Sequence, residues 1–470
     1  MSERKSLAEL ACRGLLLAYL CWLPLPFGSV TERAQAPLVL GALVICALAA
    51  LARSGAIAMT PAFKLWIAGG VLFALVVAVQ LLPLPDALLG AISPQSLRIW
   101  SDAERVAALA GLGTPAAAHP ISVDPELTAA HLFRVLAYLA IFLSTALLMR
   151  RYRQRAALAF VLGATAVFEA AYGIREAALQ RYSIWGWANK VIFNRVTGTF
   201  VNPNHFAHYA AIVMPLGVYL AAQAWHDAAP SSAPWRRRLV RLFEKQLIRF
   251  GCGVVIAFAC LVAILVAQSR GALIAAVAGF AITGAAAGGR RHAMRRGVLI
   301  GIAGAALVLV IVLLLGLKIS SRFQEPETAT LGGRGVTVGA AFALWKRFPL
   351  FGTGLGTFAE VSSMTGIGTA EILINHAHDD YAEIAATTGI AGLVVALVPL
   401  FAGYAALLRA TFGGAGEELT WTRRAYQTAA LTSITIALVH ALIDFNFFIP
   451  ANPATLAAIA GAAVPLRERR

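Results

Sequence analysis

Apolar runs of membrane-spanning length recur along this chain, near residues 14–30, 36–52, 64–82, 128–149, 156–179, 204–224, 250–268, 271–287, 297–317, 389–408, 425–447 and 453–466. A bilayer core needs about 20 apolar residues per helix. Only helices or closed barrels satisfy their backbone groups there. The chain is 59% hydrophobic and 13% charged, where a soluble domain carries about 25% charge. No water-soluble fold can cover that much apolar surface. The expectation is an all-α, polytopic integral membrane protein of about 12 transmembrane helices.

A net charge of +16 would suit a nucleic-acid binder, but its placement argues against one. The basic residues sit in short clusters between apolar runs: Arg4, Lys5 and Arg13; Arg53 and Lys64; Arg150 to Arg155; Arg236 to Arg249; Arg290 to Arg296; Arg409, Arg423 and Arg424; and Arg467, Arg469 and Arg470. These hold 25 of the 39 lysines and arginines. With twelve spans and both termini inside, all fall on one side, which the positive-inside rule makes cytoplasmic. An error of one span would scatter them.

The chain then divides into residues 1–317, carrying spans one to nine with external loops 83–127 and 180–203; a long external loop, 318–388; and residues 389–470, carrying spans ten to twelve. Spans seven and eight, joined by Gln268-Ser269-Arg270-Gly271, should form a tight hairpin. In the 83–127 loop, Ser101 and Glu104 have capping-box spacing and predict one helix. The five cysteines, Cys12, Cys21, Cys46, Cys252 and Cys260, lie in or beside apolar runs without a CxxC pair. They read as small buried hydrophobes. The run from Leu15 to Phe27 lacks a small-residue cleavage pattern and reads as a retained span.

The external loops carry the unusual polar residues. In Arg195-Val196-Thr197-Gly198-Thr199-Phe200-Val201-Asn202-Pro203-Asn204, Asn204 is expected to cap the sixth span, which leaves Arg195 without a structural duty. Arg270 stands at the external end of two apolar spans, where a guanidinium either snorkels to the interface or holds an anion. The long loop contains Arg334 among glycines and a glycine run, Gly352 to Gly356, whose spacing is not a dinucleotide fingerprint and marks a tight turn. It ends in His376, His378, Asp379, Asp380, Tyr381 and Glu383. This cluster could hold a metal, supply a histidine base oriented by a carboxylate, or simply start a helix. Asp444-Phe445-Asn446, His131 and Arg134 belong to the same face. Glu169, inside span five, is either functional or paired with an arginine.

Four pieces together resemble the O-antigen ligase and O-antigen polymerase superfamily over most of the length. They are Ile121-Ser122-Val123-Asp124-Pro125; Arg195 with Gly198-Thr199-Phe200 and Asn202-Pro203-Asn204; Ser269-Arg270-Gly271; and the loop closing on His378 and Tyr381 before Gly389. The resemblance implies a GT-C-like membrane glycosyltransferase in the bacterial inner membrane with its site on the periplasmic face. It implies neither metal nor other cofactor. The donor would be a glycan on undecaprenyl pyrophosphate. The acceptor would be a lipid A-core or another glycan, with membrane lipids around the protein and no nucleic acid. Arg195 and Arg270 would clamp the pyrophosphate and His378 would be the base. Asn202, Asn204, His376, Asp379, Tyr381 and Arg334 would line the substrate. The family motif commonly has asparagine after the histidine. Asp379 departs from it and leaves His376 as a rival base, with His378 favoured by its distance to Tyr381 and Gly389.

The chemistry agrees. Such a donor already carries its leaving group, so what remains is to neutralise the diphosphate and deprotonate a hydroxyl. The first is worth about 2.7–4 kcal/mol per contact, the second about 10² to 10⁴ in rate. In-line attack predicts an inverting reaction. Ligase is the leading reading, followed by repeat-unit polymerase, then protein O-oligosaccharyltransferase. A transporter would place its groups near the midplane in two related halves, and no repeated halves are visible. A scaffold would leave Arg270 and His378 without purpose.

Overall fold

The computed structural model describes residues 2–52, 57–112, 116–188, 195–230, 232–287, 327–367, 374–413, 420–464 and 466–468. The ninth apolar run, the cluster from Arg290 to Arg296 and the first residues of the long loop lie outside the described residues.

Sixteen α-helices appear among the described residues. In chain order they are α1 (Ser2–Trp22), α2 (Glu32–Leu51), α3 (Pro61–Gln80), α4 (Asp86–Ile92), α5 (Pro94–Leu109), α6 (Pro125–Leu148), α7 (Tyr152–Ala178), α8 (Pro203–Ala228), α9 (Trp235–Lys245), α10 (Leu247–Val266), α11 (Arg270–Ala287), α12 (Glu327–Arg347), α13 (Phe358–Ser362), α14 (Asp380–Phe412), α15 (Trp421–His440) and α16 (Ala451–Ala463). The only strands among the described residues are three antiparallel two-residue pairings. The chain is all-α and polytopic.

Among the described residues, eight helices are long and apolar enough to cross a membrane: α2, α3, α6, α7, α8, α10, α11 and α14. Three other predicted runs also fold as helices but lie outside that set. Helix α1 ends at Trp22, ahead of Pro24 and Pro26, which cannot donate a backbone hydrogen bond. Helix α15 begins with Arg423 and Arg424, and its interior face buries Gln427, Thr432, Ser433 and Thr435. It is a core helix with polar groups, and Ser433 donates to the Ile212 carbonyl of α8 at 2.7 Å. Helix α16 has 13 residues, nearly all buried, and is about 20 Å long at 1.5 Å per residue.

The predicted basic clusters within the described residues gather at one end of the bundle. Arg150 pairs with Glu9, and the Arg155 guanidinium sits over the Tyr426 ring at 5.8 Å. The Leu466 N–H donates to Ala146 at 3.0 Å. Ile57–Ala58 pairs with Arg467–Glu468. Helix α8 packs on α10, α3 on α14, α2 and α16 on α6, and α11 on α15. Spans seven and eight therefore do not form the expected hairpin. Their connection is tight, but α10 packs on α7 and α8 while α11 leaves for α15, so the two splay from the turn.

At the opposite end, the 83–127 segment holds two helices rather than one. Helix α5 starts at Pro94, so Ser101 lies mid-helix and caps nothing. Glu104 instead accepts from His119 at 2.9 Å and the Ala116 N–H at 2.7 Å. Gln80, at the end of α3, fastens the glycine run. Its amide donates to Phe351 and Thr387 carbonyls at 2.6 and 2.8 Å, and its oxygen accepts from Leu355 at 3.1 Å. Gly352, Gly354 and Gly356 all have positive φ, the expected tight turn, whereas Gly333 and Gly335 lie within α12. Helix α14 breaks at Gly389 (φ 63°, ψ −168°), where the backbone of Leu350 and Phe351 occupies the place a Cβ would need.

Candidate active site

A buried carboxylate organises the end of the bundle opposite the basic clusters. Asp444 follows α15 in a turn and is 1% exposed. Its Oδ1 accepts from the Phe445 N–H at 3.0 Å and from His378 Nδ1 at 3.3 Å. Its Oδ2 accepts from Asn204 Nδ2 at 3.0 Å and lies 3.7 Å from Arg334 Nη2. Burial alone would raise this carboxyl. The hydrogen bond from His378, with the fields of His205, His440 and His378, outweighs burial and holds it below the ordinary carboxylate range. His378 and Arg334 are each 33% exposed, so a buried anion anchors two groups that reach solvent.

Asn204 continues the network. Its Oδ1 accepts from Arg195 Nη2 at 2.9 Å. Arg195 also donates to the Ala267 carbonyl, at 2.9 Å from Nε and 2.6 Å from Nη2, and to the Gln268 carbonyl at 3.3 Å. These are the carbonyls of the α10–α11 turn, where Gln268 has positive φ and Ser269 is buried. Arg195 therefore braces the turn that carries Arg270. A Cβ on the next residue, Gly271, would run into His440 and Ile443, which places the turn beside the segment leading to Asp444. Behind it, His208 and His440 share a hydrogen bond of 2.9 Å between their Nδ1 atoms.

Asn204 does not cap the sixth span, contrary to expectation. Asn202 does, accepting from the Asn204 N–H at 2.9 Å. That frees the Asn204 side chain to join Arg195 to Asp444. Glu169 pairs with no arginine among the described residues. It accepts from the Thr199 N–H and hydroxyl, both at 2.7 Å, and pins the Arg195 loop. Gly198 (φ 56°) lies so close to Glu169 and Phe206 that a Cβ would clash.

The carboxylates of the predicted cluster are separately engaged. Glu383, 1% exposed, accepts from His376 Nδ1 and the Ala377 N–H, both at 2.8 Å. Asp379 caps α14 through the Ala382 N–H at 2.9 Å, and burial raises its carboxyl. Asp380 accepts from the Phe447 N–H at 3.1 Å. Tyr381 donates to the Leu438 carbonyl at 2.8 Å. Among the described residues, no three His, Cys, Asp or Glu side chains converge as metal ligands would. The two candidate histidines differ. His376 lies flat on Phe445 at 3.9 Å between centroids, with Glu383 on its Nδ1. His378 meets the edge of Phe445 at 4.9 Å and has positive φ, a costly conformation for a residue with a Cβ.

The structure thus joins Arg195, Asn204, Arg334 and His378 through Asp444, brings the Arg270 turn alongside, and gives Asn202, Asp379 and Tyr381 anchoring duties. Sequence reasoning noted Asp444 on this face but gave it no role. The available signal was a single carboxylate at the end of an apolar run.

Residues 255–397 match a family model described as O-antigen ligase. This match supports the ligase and polymerase superfamily suggested by the four sequence pieces. It spans Ser269-Arg270-Gly271 and the His378 loop. No curated protein matches the chain significantly.

Proposed function

We propose that this protein is an inverting glycosyltransferase of O-antigen ligase type, moving a glycan from undecaprenyl pyrophosphate to an acceptor hydroxyl on the periplasmic face of the inner membrane. The observation that carries this reading is the His378–Asp444 pair. A buried, ionised carboxylate accepts a hydrogen bond from Nδ1–H and so holds the tautomer in which Nε2 is the basic nitrogen. His378 Nε2 removes the acceptor proton as its oxygen attacks the anomeric carbon from the face opposite the diphosphate. The bond from the anomeric carbon to the diphosphate oxygen breaks, and its electron pair leaves with the diphosphate. Asp444 stabilises the imidazolium across the ring.

Arg270 and Arg195 supply positive charge for the departing diphosphate. Arg270 presents it from the α10–α11 turn, and Arg195 holds that turn while adding to the same field. Engagement of the neighbouring carboxylates in protein hydrogen bonds supports a route that needs no metal. Segregation of the basic clusters at the other end supports cytoplasmic termini and a periplasmic site. We retain twelve spans and the GT-C-like class as part of this proposal.

The test is to substitute His378, Arg270 and Arg195 singly with Ala and assay transfer from a lipid-linked donor. Each correctly inserted variant should lose turnover; wild-type rates in all three would remove the assignment. A deletion strain separates the subclasses. Core-only lipopolysaccharide with accumulated polymer marks a ligase, and lipopolysaccharide capped with a single repeat marks a polymerase.

A further inference from the structure

A second positive group lies apart from the Arg195 and Arg270 turn. Arg134, on α6, donates through Nε to the Gln35 side-chain oxygen Oε1 at 2.7 Å and through Nη1 to His131 Nε2 at 3.0 Å. Both partners are neutral: His131 is held in one tautomer by its Nδ1 contact with the Leu127 carbonyl at 2.9 Å. Among the described residues no carboxylate pairs with Arg134. It is half-buried in a helix of membrane-spanning length, where an uncompensated cation is costly.

Arg134 and His131 line a cavity of about 350 Å³ between α3, α6, α14, α15 and α16. The rest of its wall is almost wholly apolar, including Trp66, Phe73, Leu397 and Leu456. A cation without a counter-ion at an apolar cavity fits an amphiphile with an anionic head and a hydrocarbon tail. A free anion would leave the apolar volume unfilled, and a neutral lipid would leave Arg134 uncompensated.

We propose that this cavity holds the anchor of a second, phosphate-bearing lipid, with Arg134 on the phosphate and the tail along Trp66 and Leu397. The cavity adjoins the candidate site across an aromatic layer: His131 lies 6.2 Å from Phe448, Phe448 lies 5.5 Å from His376, and Phe445 separates His376 from His378. The donor charge sites stand on the α10–α11 turn, against other helices. A lipid at Arg134 is therefore the acceptor's anchor, an assignment that rests on the proposed transferase. The lipid site itself does not.

Trp66 lines the cavity and reports on it. The full-length protein is placed in phosphatidylcholine nanodiscs containing either phosphatidate or diacylglycerol with the same brominated chains. The Trp66 signal is the difference between wild type and Trp66→Phe. Brominated phosphatidate should quench it at about tenfold lower mole fraction than brominated diacylglycerol. Arg134→Gln should erase the preference, Arg134→Lys should retain it, and inorganic phosphate should not compete. Equal quenching by both lipids, an unchanged preference in Arg134→Gln, or displacement by inorganic phosphate would each overturn the proposal. In the transfer assay, Arg134→Gln should raise KM for a lipid acceptor about tenfold and leave the donor KM unchanged. A phosphatidate preference without any glycan transfer would sink the transferase reading and keep the lipid site. Transfer without the preference would do the reverse.

Discussion

Replacing Asp444 with Asn keeps the volume of the buried side chain and removes its charge. One carboxamide oxygen can still accept from the Phe445 N–H and from His378. The new amide nitrogen then faces Asn204 Nδ2, at 3.0 Å in the native protein, and Arg334 Nη2, at 3.7 Å. Both are donors, so that half of the network breaks. The His378 contact spans 3.3 Å. Two unit charges at that distance interact by about 5 kcal/mol at an effective dielectric of 20, which sets a ceiling for the imidazolium of the proposed reaction. Net of solvation, a hydrogen bond to a charged group is worth about 1.5–3 kcal/mol. The expected result is a kcat lower by about 10- to 150-fold. Donor KM should change little, because Arg270 and its turn keep Arg195. The assay is steady-state transfer by purified protein in nanodiscs, with circular dichroism to verify the fold. A kcat within twofold of wild type would refute the role assigned to Asp444.

Glu169→Ala should lower thermal stability by about 1–3 kcal/mol for each Thr199 group left without its acceptor, and Glu169→Gln by less; a melting series checks both. Gly389→Ala should destabilise the protein or abolish its folded yield, since its φ of 63° and the neighbouring Leu350 backbone leave no room for a Cβ. Burial lowers the affinity of His119 for protons, but hydrogen bonds to Asp86 and Glu104 outweigh it and raise the pKa above the ordinary value. The stability this contributes to the 83–127 segment is complete below about pH 6.5 and is lost as pH rises through the raised value. Trp100 stacks on His119, so its fluorescence should brighten over that range, and a transition at or below the ordinary histidine pKa would contradict the sign.

Helix type and position followed from apolar run length, because lipid constrains every span in the same way. Sorting the basic clusters within the described residues to one end also followed, since charge placement needs no knowledge of packing. The network around Asp444 did not. Its members come from sequence positions as far apart as Arg195, Arg334, His378 and Asp444, and nothing local in any segment announces the others. Local rules failed where a side chain had a better long-range partner. Asn204 has the chemistry of a cap but reaches Asp444, leaving the cap to Asn202. Glu104 has capping-box spacing but turns to His119. The Gln268 turn reads as a hairpin, yet α10 and α11 splay because each finds a larger partner surface elsewhere. Helix α15 reads as an ordinary span, although its buried hydroxyls and Gln427 belong to the bundle interior.

The central claim is that His378, held by Asp444, is the base that activates the acceptor. Single-turnover transfer by purified His378→Gln and His376→Gln variants, each loaded with the same lipid-linked donor, tests it most directly. The account predicts that His378→Gln slows the chemical step by about 10² to 10⁴, while His376→Gln, which loses the Glu383 contact and the face of Phe445, costs less than His378→Gln. A His378→Gln variant that transfers glycan at the wild-type rate while His376→Gln is inactive would contradict it.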